Sequence, residues 1–174
     1  TEFQASAGWR IGEPARPGGT WWPTVALRNS RYPGWSPWLP TLRLRGIPGD
    51  GWRIDAEAGR EVVESPRAVA ERVTVDVLGA SAEHRPDPRW QLAGGVALLR
   101  FDDGTRRWRL TARAESMLLP RPRVTVAVEA MGFERDAETS VDRGYWNPRR
   151  YAEARAVLGL SHELRPFELR VKLG

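Results

Sequence analysis

Between Arg107 and Leu118 the chain reads RWRLTARAESML, and its side chains change character at every step. Trp108, Leu110, Ala112 and Ala114 alternate with Arg107, Arg109, Thr111, Arg113 and Glu115. A period of two sends alternate residues to opposite faces of an extended strand, whereas a helix would scatter both sets around its circumference. The same alternation returns along most of the chain. Trp52, Ile54, Ala56 and Ala58 are set against Arg53, Asp55 and Glu57, and Val73, Val75 and Val77 against Arg72, Thr74 and Asp76. Trp90, Leu92, Gly94, Val96 and Leu98 share a face. So do Val124, Val126, Val128 and Ala130, opposite Thr125, Ala127 and Glu129. Phe167, Leu169, Val171 and Leu173 oppose Glu168, Arg170 and Lys172.

These segments predict an all-β chain of about eight to ten antiparallel strands. Val25 to Arg28 and Thr41 to Arg45 read as shorter strands, and Tyr151 to Leu164 alternates less cleanly. The first forty residues read as an irregular edge, because Trp21-Trp22-Pro23 and the run from Pro33 to Pro40 are rich in tryptophan and proline. One helical turn is expected at Ser65 to Ala70, with Ser65 as N-cap and Pro66 at the first helical position.

The connections alternate in kind. Gly46 to Gly51, Arg85 to Arg89, Leu119 to Pro122 and Leu164 to Pro166 are tight, three of them built on proline and the first on both proline and glycine. Gly59 to Glu71 and Glu134 to Arg150 are long, and Asp102-Asp103-Gly104-Thr105 is a hairpin turn. An up-and-down barrel with unlike ends has this rhythm, and strands of about 8–12 residues suit a tilted membrane crossing. The expected fold is therefore an antiparallel up-and-down β-barrel of the outer-membrane type, a single domain over residues 1–174.

Alternation alone leaves the direction of the faces open. In a soluble barrel or sandwich the valine stripes point inward, and such a module would bind an apolar or carbohydrate ligand. In a membrane barrel the same stripes face lipid and the charged rows line a wet lumen. Trp52, Trp90, Trp108 and Phe167 each open a strand on the apolar face, where an interfacial aromatic girdle belongs, and this favours the membrane reading.

Composition narrows the chemistry. The chain has no cysteine, which excludes disulfides and thiolate metal sites. Its net charge of +5 is spread without a basic run of recognition-helix spacing, so no nucleic-acid partner is expected. No apolar run is long enough for a transmembrane helix, and TEFQASAGWRIGEP shows no basic-then-apolar leader pattern, so no signal peptide is expected within it. His84 and His162 are far apart, and Asp102-Asp103 sits in a turn sequence, so neither a metal site nor a catalytic site is expected, and no cofactor. No nucleophile elbow, phosphate loop or dinucleotide fingerprint is present.

From about Glu64 to Leu164 the order of features resembles a known family. Asp103-Gly104 followed by Arg106-Arg107 is similar to the hairpin, and Tyr145-Trp146-Asn147-Pro148 to the aromatic loop, of the C-terminal barrels of outer-membrane exopolysaccharide export porins. That group secretes poly-N-acetylglucosamine or cellulose. The resemblance implies a bacterial outer-membrane location and a passive conduit for exopolysaccharide. It also implies membrane lipid and polysaccharide as partners, with periplasmic tetratricopeptide or synthase components beside them. The family's barrel is larger than these strands can close, which leaves three readings: part of a larger barrel, a truncated barrel or a smaller relative.

A polysaccharide conduit needs many weak contacts, from guanidinium and carboxylate groups to hydroxyls and from aromatic rings to sugar CH faces. Arg107, Arg109, Arg113, Glu115, Asp76 and Glu129 are the expected lumen residues. Tyr145, Trp146, Arg149 and Arg150 are expected on an external loop.

Overall fold

The computed structural model describes residues 2–11, 19–136, 148–164 and 167–173. They form one antiparallel sheet of ten strands in sequence order, with every strand hydrogen-bonded to the next. These are β1 (Glu2–Gly8), β2 (Thr20–Ser30), β3 (Trp38–Ile47), β4 (Trp52–Val62), β5 (Thr74–Asp87), β6 (Trp90–Phe101), β7 (Arg106–Pro120), β8 (Arg123–Arg135), β9 (Arg150–Leu164) and β10 (Phe167–Leu173). Among the described residues β1 and β10 do not pair with each other, so the sheet keeps two free edges. The all-β meander is as the alternation predicts.

The beginning of the chain differs from expectation. Glu2–Gly8 and Thr20–Ser30 are regular strands that pair along their length, from Glu2 with Ser30 to Gly8 with Thr24. Pro23 is tolerated inside β2 because β1 ends one residue away; only the Pro23 carbonyl is used on that side, accepting a hydrogen bond from Trp9 N–H. Likewise β3 absorbs Trp38-Leu39-Pro40, which read as loop.

The connections sort by end. At one end lie 48–51, 88–89 and 121–122. At the other lie 31–37, 63–73, 102–105 and 136–149. The segment 9–19 breaks the rule at the short-turn end. Gly51 makes one tight turn possible: its φ of +73° favours glycine, and a Cβ there would sit 2.4 Å from the Arg85 carbonyl oxygen. In the β6–β7 hairpin Gly104 has φ +86°, and the Asp103 carboxylate accepts the Thr105 N–H at 2.8 Å.

The register decides the faces, because directly paired residues share one. Trp52, His84, Leu92, Ala114, Val128 and Ala156 form one continuous row across β4 to β9. On this face the large apolar side chains stay exposed: Leu78 and Leu110 at 61%, Val128 at 57% and Trp108 at 55%. From Trp90 to Leu98, the partner of Trp108, nine residues cross the band on β6. That matches the length of a tilted membrane-spanning strand, about 9–11 residues. A soluble protein seldom leaves so continuous an apolar face bare. This is the convex face, because the grooves lie on the other one, among Arg43, Asp55, Gly79, Gly95, Thr111 and Met131.

One apolar stripe points the other way. Val73, Val75 and Val77 read as part of the lipid-facing set, yet Val75 pairs with Phe101 and Val77 with Leu99 on the concave face. The reason is α1 (Pro66–Ala70), which forms as predicted, with Ser65 Oγ accepting the Ala68 N–H at 3.2 Å. The segment 63–73 folds over the concave side and buries Ala68 against Val73, Val75, Val77 and Phe101. Arg72 donates to the Gly34 carbonyl at 3.1 Å, tying this segment to the β2–β3 connection.

Two outcomes are expected. Val128→Arg should cost about 2–4 kcal/mol in a bilayer, while Thr111→Arg on the concave face should cost almost nothing. Denaturant titration of protein folded in phospholipid vesicles measures both. Equal, negligible costs would mean that Val128 faces water. Ala68→Asp should evict α1 and open 63–73 to limited proteolysis while far-ultraviolet circular dichroism keeps its strand signal, since Ala68 belongs to no strand.

Candidate functional site

The concave face is a ladder of opposite charges. Arg43 meets Glu57 at 3.1 Å and Arg45 meets Asp55 at 2.8 Å across β3 and β4. Glu83 on β5 takes Arg85 at 2.9 Å and Arg53 at 3.9 Å. Further along, Arg113 on β7 is paired with both Glu115 and Glu129, and Glu129 also accepts Arg155 Nε at 2.7 Å. Glu115 reaches Arg123 at 3.8 Å. The register puts these groups opposite one another: Arg43 faces Glu57, Arg45 faces Asp55, and Arg113 and Arg155 both face Glu129.

Such pairs contribute little to stability. Most of the arginine heads are about half exposed, and an exposed pair contributes about 0.2–1 kcal/mol. Their effect is on the character of the surface. Each carboxylate of this ladder holds at least one guanidinium, so the wall is polar and hydrogen-bonding. Between the charges the face carries small residues, among them Gly79, Ser81, Gly95 and Ala97 in successive register. A side chain at Gly95 would press on Thr111 Oγ1 at 3.0 Å and Ser81 Cβ at 3.2 Å, so glycine keeps this part of the groove open.

Near the long-loop end the character changes. The Arg107 guanidinium lies 5.2 Å from the Phe101 ring centre and 4.5 Å from that of Phe133. Cation–π attraction of this kind holds an arginine in one pose at modest cost. Tyr151 packs on Phe133 with ring centres 5.3 Å apart, and its hydroxyl donates to Glu153.

Of the six lumen residues predicted from the sequence, five share the concave face: Arg107, Arg109, Arg113, Glu115 and Glu129. Arg113, Glu115 and Glu129 form one network, whereas Arg107 and Arg109 stand nearer the long-loop end. Asp76 is a correction. It pairs with Arg60 and Arg100 on the convex face, and its carboxylate takes Arg60 Nε at 2.7 Å. The polar residue faces outward here because its valine neighbours are claimed by α1. Sequence reasoning missed Arg43, Arg45, Arg53, Asp55, Glu57, Glu83 and Arg155. The alternation already set Arg53, Asp55 and Glu57 against Trp52 and Ile54, so the signal was there for β4.

Of the external-loop residues, Tyr145 and Trp146 lie outside the described residues. Arg149 and Arg150 are exposed at the long-loop end, where Arg150 opens β9 and pairs with Glu134 at 2.7 Å. His84 stacks on Trp52 with ring centres 4.2 Å apart at the short-turn end. Among the described residues no group of three or more His, Asp or Glu is arranged to hold a metal ion.

The outward charges have a pattern of their own. On β4 to β9 the convex face carries few charged residues: Arg60, Asp76, Arg100, Arg106, Glu134 and Arg150, with Asp87 opposite Trp90 at the β5–β6 turn. All but Asp87 stand at the long-loop end, beyond the apolar band, and every arginine among them is there.

A wall apolar and exposed on its convex side, charge-paired on its concave side and unlike at its two ends is a membrane barrel wall. No curated protein and no solved structure matches the chain. A family profile does, over residues 43–168, and its description is the PgaA membrane beta barrel domain. That span holds nearly all of the charge ladder and the whole apolar band from β4 to β9, and the chain belongs to this family of membrane β-barrel domains.

Proposed function

We propose that this chain forms part of an outer-membrane barrel through which an exopolysaccharide leaves the cell, as a passive conduit with no bond-making step. The observation that carries the reading is the charge-paired concave face. Neighbouring arginine and carboxylate groups offer a polyhydroxylated chain hydrogen bonds along β3 to β5 and β7 to β9. No single cluster dominates, and many comparable weak sites let a polymer enter and also leave. The family match supports both the barrel and its association with polysaccharide export. In the bilayer the free edges β1 and β10 need partners for their peptide groups, so ten strands make one arc of the wall. The short turns face the periplasm and the long connections face outward, following the habit of such barrels.

Reversal potentials under a salt gradient in planar bilayers test whether the ladder lines the pore. Glu129→Gln leaves Arg113 and Arg155 without this carboxylate and should shift selectivity toward anions. Arg113→Gln releases Glu115 and Glu129 and should shift it toward cations. Unmoved potentials in both variants would show that this face lines no conducting path. Soluble β-linked oligosaccharides should then block the wild-type current, and more strongly as they lengthen. A conducting pore that they never block would leave a general porin in place of the export reading.

A further inference from the structure

We propose that the outward arginines at the long-loop end bind the phosphate groups of membrane lipid. Arg60, Asp76, Arg100 and Arg106 follow one another in direct register on β4, β5, β6 and β7. With strands about 4.8 Å apart, the row is roughly 14 Å wide. Arg60 is held by Asp76 at 2.7 Å and 3.1 Å, and Arg100 adds its charge beside the same carboxylate. Arg100 and Arg106 stand directly opposite each other, both exposed. Like charges directly opposite on a sheet destabilise it unless something negative lies between them.

The nearby carboxylates do not remove the need. Asp136 is turned to the backbone, accepting the Arg106 N–H at 3.0 Å. Asp102, in the β6–β7 turn, donates its N–H to the Thr74 carbonyl at 3.1 Å, on the β5 side of the row. Glu134 is engaged by Arg150. A phosphate is the group that fits, because it accepts from two guanidiniums at once.

The surface below the row identifies the source of that phosphate as a lipid. The next outward residues are Ala58, Leu78, Leu98 and Trp108, again in direct register on the same four strands. Leu78 and Trp108 are more than half exposed, and Leu110 continues the apolar surface below Trp108. Acyl chains lying there would bring their headgroup to the arginines, with Trp108 at the level where aromatic rings meet the polar boundary. The short-turn end of the same face has Trp52, His84 and Trp90 in that position and no outward strand arginine. The site therefore belongs to one leaflet, and it rests on the proposed outward orientation of the long connections.

The experiment uses the full chain in phosphatidylcholine nanodiscs, with lipid A, enzymatically dephosphorylated lipid A or inorganic phosphate added. Native mass spectrometry and thermal unfolding report binding. Lipid A should bind and stabilise the wild type. Arg100→Gln with Arg106→Gln should weaken it at least tenfold, and Arg121→Gln, in a short turn, should leave it unchanged. Equal binding of the dephosphorylated lipid, equal protection by inorganic phosphate, or full binding by the double variant would overturn the proposal. Failure of the wild type to insert would overturn the membrane reading as well, and the nanodisc yield shows that separately.

Discussion

A peptide group in hydrocarbon finds no water to bond, and every feature of this wall depends on meeting that demand between neighbouring strands. The ten-strand ladder does so in plain antiparallel order, each strand serving the next. Once the backbone is satisfied within the sheet, the side chains are released to suit the two media they face. The pleat then does the sorting, one residue to lipid and the next to water. The edges are the only place where the ladder leaves the demand open.

The two faces use charge differently. On the concave face Arg113, Glu115, Glu129 and Arg155 neutralise one another, and water in the groove keeps each pair weak. Together they make a polar surface with repeated hydrogen-bonding groups. On the convex face of β4 to β9 the charges are few, and the arginines are confined to one end, just past the apolar band. There they face the zone where lipid headgroups begin. Both faces thus use arginine, paired with carboxylates along the concave face and gathered at one end of the convex face.

Much of this was legible in the chain itself. The alternation sets Arg109 and Arg113 on the charged face of β7 and Glu129 on the charged face of β8, and pairing apolar face with apolar face brings the three to one side. The Asp103-Gly104 turn and the Ser65-Pro66 cap announce themselves by residue type, because few residues adopt those conformations without strain. Other parts were hidden. Proline in β2 and β3 looked like a barrier to strand formation, and only the position of β1's end shows that Pro23 loses no needed bond. Trp52 against His84 is a cross-strand stack, and nothing in either local sequence reveals the partner.

The sequence by itself determined a sheet with one apolar and one charged face, because a period of two admits no other regular structure. It also determined the unlike ends, through the lengths and proline content of the connections. Only the tertiary structure decided which way each stripe points. Val73, Val75 and Val77 are indistinguishable in pattern from Val124, Val126 and Val128, yet the first set faces inward and the second outward. The difference is α1, a single turn that covers the first set and buries it, while Val126 and Val128 of the second stay exposed. For the same reason Asp76 passed from the lumen to the outer rim: alternation gives relative sides, and only packing gives absolute ones.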